Sequence, residues 1–169
     1  RHSTMQRFRK ILILIVLTAF LLRLYKLTTP LADWHSFRQA DTASVTREYV
    51  KHGIAWLHPR YHDLSNIQSG MQNGGQDNLQ GYRMVEFPLI NGLLAMFLRT
   101  FPMFDLVIVS RLASILASLV SLVCLVILVR SSLGKRVALL AGALFATLPY
   151  SVYYSRVILP EPFFIAFTL

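Results

Sequence analysis

Two short stretches of this chain concentrate side chains that can move protons or hold anions. The first is Asp33-Trp34-His35-Ser36-Phe37-Arg38-Gln39-Ala40-Asp41-Thr42-Ala43, with two carboxylates, an imidazole and a guanidinium close together. The second is Tyr154-Ser155-Arg156-Val157-Ile158-Leu159-Pro160-Glu161-Pro162, where two prolines stiffen a turn carrying Arg156 and Glu161. A positioned carboxylate can accept the proton of an attacking hydroxyl. The planar guanidinium fork matches phosphate oxygens. Asp41, Asp33 and Glu161 are therefore candidates for proton handling, and Arg156, Arg38, His35 and Gln39 for binding. A plainer reading competes at each stretch. Asp33 would then open a helix, Asp41 would pair locally with Arg38, and Arg156 and Glu161 would form a surface ion pair at a capped helix end.

Other chemistries leave no trace. The chain has no GxxxxGK or GxGxxG loop, no CxxC pair and no HExxH. His52, His58 and His62, with Asp63 beside the last, lack fixed helical spacing and read as solvated loop histidines rather than metal ligands. The one cysteine, Cys124, sits in an apolar run and reads as packing.

The elements that must position these residues belong to a membrane. Of 169 residues, 54% are hydrophobic and only 15% charged, with a mean hydropathy of +0.51. A soluble domain carries about 25% charged residues, so this chain lacks the polar cover that water demands. The net charge of +9 does not point to nucleic acid. Its basic residues bracket apolar runs instead of forming a stripe interleaved with aromatics.

Three stretches have the length of membrane spans: Ile11 to Leu27, Val107 to Val129, and Val137 to Tyr154. Arg7, Arg9 and Lys10 precede the first, and the long stems of Arg23 and Lys26 are expected to snorkel outward from its far end. Pro88 to Leu98 is too short to cross and reads as an interfacial or re-entrant helix, closed by Arg99 and Pro102. Three spans put the N-terminus and residues 130–136 on one side, with only basic charges. All eight acidic residues then fall on the other side. Lys/Arg bias orients membrane proteins, so the first side reads as cytoplasmic. Both chemistry-bearing stretches then share the extracytoplasmic face. Residues 163–169 read as the start of a further span, and the chain as the N-terminal piece of a longer polytopic protein. Along the second span Ser110, Ser114, Ala117, Ser118 and Ser121 form a small-residue packing face.

The outer loop, 28–106, is too long for a connector, and its aromatic residues give it material to pack. Residues 39–52 read as an amphipathic helix, with Val45 and Tyr49 on the buried face and Asp41, Ser44, Glu48 and Lys51 on the solvated one. Ser65 to Gly81, rich in Gly, Asn, Gln and Ser, reads as irregular loop.

The order of these features resembles the start of a GT-C glycosyltransferase. It runs from a short N-terminal span and an acidic outer loop through Arg38-Gln39-Ala40-Asp41-Thr42-Ala43 and Glu86-Phe87-Pro88-Leu89. Two spans follow, and then Tyr154-Ser155-Arg156 and Pro160-Glu161-Pro162. The dolichyl-phosphate-mannose–protein mannosyltransferases and the bacterial aminoarabinose–lipid A transferases are the most similar families. The resemblance implies an all-α integral membrane enzyme, a hexosyl- or pentosyltransferase. It would move a sugar from a polyprenyl-phosphate donor to a glycan, lipid or protein acceptor at the outer face of a bacterial inner membrane. By position, Asp41 or Asp33 matches the acidic residue near the acceptor hydroxyl and Glu161 the second acidic residue. Arg156 or Arg38 matches the phosphate contact, and Glu86 the acid ahead of the Pro-Leu that ends the loop. The chain departs from many members in lacking an adjacent Asp-Glu pair, and it has Glu161 where relatives often carry Asp.

The leaving group is then a lipid phosphate, already anionic, which needs charge stabilisation more than a proton. A divalent cation could share that work with arginine. Two rival classes remain at this point. A transporter or lipid flippase would use intramembrane charges as a substrate path, although a long structured outer loop does not suit it. A non-catalytic scaffold would tolerate neutral replacements at Asp41, Arg156 and Glu161.

Overall fold

The computed structural model describes residues 2–31, 35–62, 64 and 78–169. Asp33, Asp63 and most of the Ser65–Gly81 stretch lie outside the described residues. The described chain is helical: α1 His2–Arg23, α2 Ser36–His52, α3 Leu89–Thr100, α4 Leu106–Leu133, α5 Lys135–Thr147, α6 Pro149–Tyr154 and α7 Glu161–Thr168. Its β structure, among those residues, is one antiparallel bridge between Arg60 and Tyr82. The chain divides into two compact units, residues 1–29 with 111–169, and residues 30–110.

In the first unit α1, α4 and α5 meet through small and branched side chains. Ala19, Leu122, Val126, Ala138 and Ala146 are buried together with Phe8. The opposite faces are apolar and open: Ile13, Leu14, Leu17 and Leu21 on α1, Leu116, Val120 and Ile127 on α4, Leu140 and Leu144 on α5. Apolar surface of that extent needs a cover other than water. The expected small-residue face of α4 is buried at Ser110, Ser114, Ala117, Ser118 and Ser121. Among the described helices, only α4 is both long and apolar enough to cross a bilayer.

The other two expected spans take different forms. The first is helical to Arg23, and turns carry the chain on through residues 24–28. The third breaks at Leu148, so Val137 to Tyr154 is divided between α5 and the six-residue α6. Pro149 has no N–H to give the carbonyl of Phe145, four residues back.

Arg23 repairs that break, and it does not snorkel. It is fully buried. Its guanidinium donates to Phe145 O at 3.2 Å, Ala146 O at 3.1 Å and Ala19 O at 3.0 Å. It also donates to Ser155 Oγ at 2.6 Å and Ser151 Oγ at 3.1 Å. Unsatisfied carbonyls at a helix end are costly where water is absent, and a cation with five donors serves several at once. Arg111, inside the second expected span, does the same for the turn after α1. One of its nitrogens donates to the carbonyls of Lys26, Leu27 and Thr29 at 3.1, 2.8 and 2.6 Å.

In the second unit α2 packs on α3. Val45, Tyr49, Tyr61 and Ala95 are buried together. Gly92 lets the helices close on Trp56, because a Cβ there would lie 2.3 Å from the indole ring. Trp56 in turn stacks on Phe87 with ring centroids 6.1 Å apart. Asn91 ties α3 to α2, donating to Thr42 O at 2.8 Å and Thr46 Oγ1 at 3.0 Å. The interfacial helix expected at 88–99 is α3, and the amphipathic helix expected at 39–52 is α2, begun three residues earlier.

Candidate functional site

The face of α2 expected to be solvated is where the site forms. Asp41 and Ser44 are buried, with Gln39 and Thr46. Asp41 Oδ2 accepts a hydrogen bond from Arg83 Nη1 at 2.8 Å, and both side chains are nearly closed to solvent. The local Asp41–Arg38 pair does not form. Residues three apart on a helix can pair, but Arg38 turns to Glu86, with Nη2 3.1 Å from Oε1. That second pair is more exposed, so its energetic worth is small.

Arg83 is the site residue that the sequence reading missed, and local turn chemistry aims it. Asn78 brackets Tyr82, with Nδ2 donating to Tyr82 O at 2.8 Å and Oδ1 accepting from Tyr82 N at 3.0 Å. Gly81 adopts φ +64°, and a Cβ there would sit 2.7 Å from Tyr61 O. The backbone N–H of Arg83 then donates to Pro59 O at 2.8 Å. The visible signal was only a cation three residues ahead of Glu86.

Asp41, Ser44, Arg47, Tyr61, His62 and Phe37 line much of a cavity of about 370 Å³. His62 closes one wall. Its Nδ1 lies 2.6 Å from Ser44 Oγ and its Nε2 2.8 Å from Glu48 Oε1. This histidine is held between a hydroxyl and a carboxylate while about half of its side chain (48%) stays open to solvent. His58 instead packs on the Tyr82 ring. Among the described residues no three His, Cys, Asp or Glu side chains gather into a metal-binding group. His35 precedes α2 in the left-handed region, φ 57° and ψ 30°, and its carbonyl accepts from Gln39 N. Burial pushes the Tyr49 phenol above its ordinary pKa, and its hydroxyl donates to Ala55 O at 2.8 Å.

The Tyr154–Pro162 stretch belongs to the first unit. Arg156 is buried, donates to Tyr25 O at 3.2 Å and lies 5.2 Å over the Tyr153 ring. It anchors the turn after α1 rather than standing at a surface. Glu161 opens α7, where a carboxylate suits the helix dipole. It also lines a largely apolar cavity of about 280 Å³ with Ser118, Ser121, Tyr150 and Tyr154.

Helices among the described residues, broad apolar faces, buried arginines and one helix able to cross a bilayer suit a membrane protein. Residues 88–169, from the start of α3 to the end of α7, match the family model of the dolichyl-phosphate-mannose-protein mannosyltransferases. That match supports the GT-C superfamily and, with it, a membrane glycosyltransferase. No curated protein and no solved structure matches the chain.

Proposed function

We propose that this protein transfers a sugar from a polyprenyl-phosphate donor to a hydroxyl-bearing acceptor at the extracytoplasmic face of a bacterial inner membrane. The reading rests on one observation above the others. A buried, arginine-held carboxylate, Asp41, opens on a cavity in a chain whose C-terminal part matches a mannosyltransferase family. Asp41 orients the acceptor hydroxyl and draws on its proton. The acceptor oxygen bonds to the anomeric carbon as the carbon–oxygen bond to phosphate breaks, and the electron pair leaves with the lipid phosphate. The family resemblance gives Glu161, which opens α7 in the first unit, the role of a second acidic residue. Of the two arginines proposed for the phosphate, Arg38 is half exposed and Arg156 buried, so Arg38 is the more accessible contact.

The test is transfer by the full-length enzyme carrying Asp41→Asn or Glu161→Gln. Each replacement keeps shape and removes charge, and each should lower kcat at least about 100-fold, the scale on which a positioned carboxylate assists proton transfer. Wild-type rates in both variants would remove the assignment.

A further inference from the structure

The geometry points to His62 as the destination of the acceptor's proton, reached through Ser44 and stabilised by Glu48. This rests on the transferase reading above and says where the proton goes once Asp41 has oriented the hydroxyl. Three α2 residues, Asp41, Ser44 and Glu48, recur at helical spacing along one stripe. His62 packs across the last two, with Nδ1 2.6 Å from Ser44 Oγ and Nε2 2.8 Å from Glu48 Oε1. A carboxylate can only accept hydrogen bonds, so Glu48 Oε1 fixes the tautomer with hydrogen on Nε2. Nδ1 then accepts from the Ser44 hydroxyl.

The Ser44 oxygen also has a fixed role for each of its groups. Its hydrogen goes to His62 Nδ1, and one lone pair takes the backbone N–H of His62 at 2.9 Å. The second lone pair remains for a hydroxyl entering the cavity that Ser44, Asp41 and His62 line. Asp41 is poorly suited to keep the proton itself, because Arg83 at 2.8 Å stabilises its ionised form. In the transfer step the acceptor O–H proton passes to Ser44 Oγ while the Ser44 proton moves to Nδ1. The acceptor oxygen bonds to the anomeric carbon, and the phosphate leaves with the electron pair of the broken bond. The imidazolium so formed faces Glu48, which also lies 3.6 Å from His52. The Arg83–Asp41 pair and Arg47 are the other charged groups around the cavity.

The experiment uses the full-length enzyme in membranes of the cells that produce it, which supply the acceptor. Radiolabelled polyprenyl-phosphate-linked mannose, glucose and aminoarabinose serve as donor probes. His62→Asn keeps an oxygen acceptor for Ser44 but has no titratable group. It should lower kcat about 100-fold, leave KM within about twofold and abolish the acidic limb of the kcat–pH profile. Glu48→Gln should lower kcat about 10-fold with KM little changed, because the imidazolium loses the anion it faces. A His62→Asn enzyme with wild-type kcat and an intact acidic limb overturns the relay and leaves the transferase standing. Should that variant fail to fold, a wild-type kcat in Glu48→Gln overturns it equally. A wild-type enzyme that transfers none of the three sugars overturns both readings.

Discussion

Arg83 reaches across 42 positions of sequence to hold Asp41, its Nη1 2.8 Å from the carboxylate Oδ2, with both side chains nearly closed to solvent. Removing one partner of such a pair leaves an uncompensated charge, which costs about 3 kcal/mol or more. Arg83→Met should therefore destabilise the second unit by about that amount and release Asp41 from its position. Chemical denaturation and transfer assays of the same variant should both fall. Arg83→Lys, with one point charge in place of the fork, should recover part of the stability.

Gly92 on α3 makes room for the Trp56 ring, which follows α2. A methyl group there meets the Trp56 ring at 2.3 Å, closer than atoms can approach. Gly92→Ala should cost about 1–3 kcal/mol through overpacking. Trp56→Leu in the same chain should recover some of that loss, a non-additivity that a double-mutant cycle would measure.

Arg23 joins α1 to the α5–α6 break through carbonyl and hydroxyl acceptors on both elements. Arg23→Leu keeps much of the apolar stem volume and abandons those acceptors in a dry setting. The expected loss is about 2–4 kcal/mol, since several buried acceptors are orphaned together. Proteolysis should show earlier cutting near residues 148–155, and Arg23→Lys should be intermediate.

Tyr49 gives a pH signature. Burial raises its pKa above the ordinary 10.0, so the folded state favours the neutral phenol. The corresponding stability is complete below about pH 10, the unfolded value, and is lost as pH rises through the folded pKa. Denaturation midpoints should drop across that alkaline range in the wild type. Tyr49→Phe should flatten the drop, after a fixed loss from the missing bond to Ala55 O.

Topology is tested with single cysteines at Ser36, Met103 and Ser132 in a Cys124→Ser background. Helix α3 has 12 residues, about 18 Å at helical rise, against a hydrocarbon core of about 30 Å. An impermeant thiol reagent should therefore label positions 36 and 103 from outside and spare 132. The reverse pattern at 103 and 132 would make residues 88–98 a true span.

Much of the helical plan was legible because it follows from composition and period. The apolar runs placed α4, the body of α1 and the short α3, and the serine stripe announced the buried face of α4. Helix α1 itself begins at His2, ahead of the run from Ile11. Asp41 stood out for its company of Arg38, Gln39 and His35. Its partner did not, because nothing near it in sequence competes for Arg38 as Glu86 does in space.

What the sequence by itself determined was the solvent and the element type. Too few charges for water and long apolar runs point to helices in a membrane, since lipid requires every backbone group to be satisfied internally. What only the tertiary structure decided was the fate of each charge. Arg23 and Arg111 turned inward because Pro149 and the turn after α1 leave carbonyls that lipid cannot satisfy. The polar stripe of α2 became interior at Asp41 and Ser44 because Arg83, aimed by a turn built on Asn78 and Gly81, and His62 from the segment before it supply their partners. Helical period says which residues share a face. Whether that face meets water or a complementary charge depends on which distant segment packs against it.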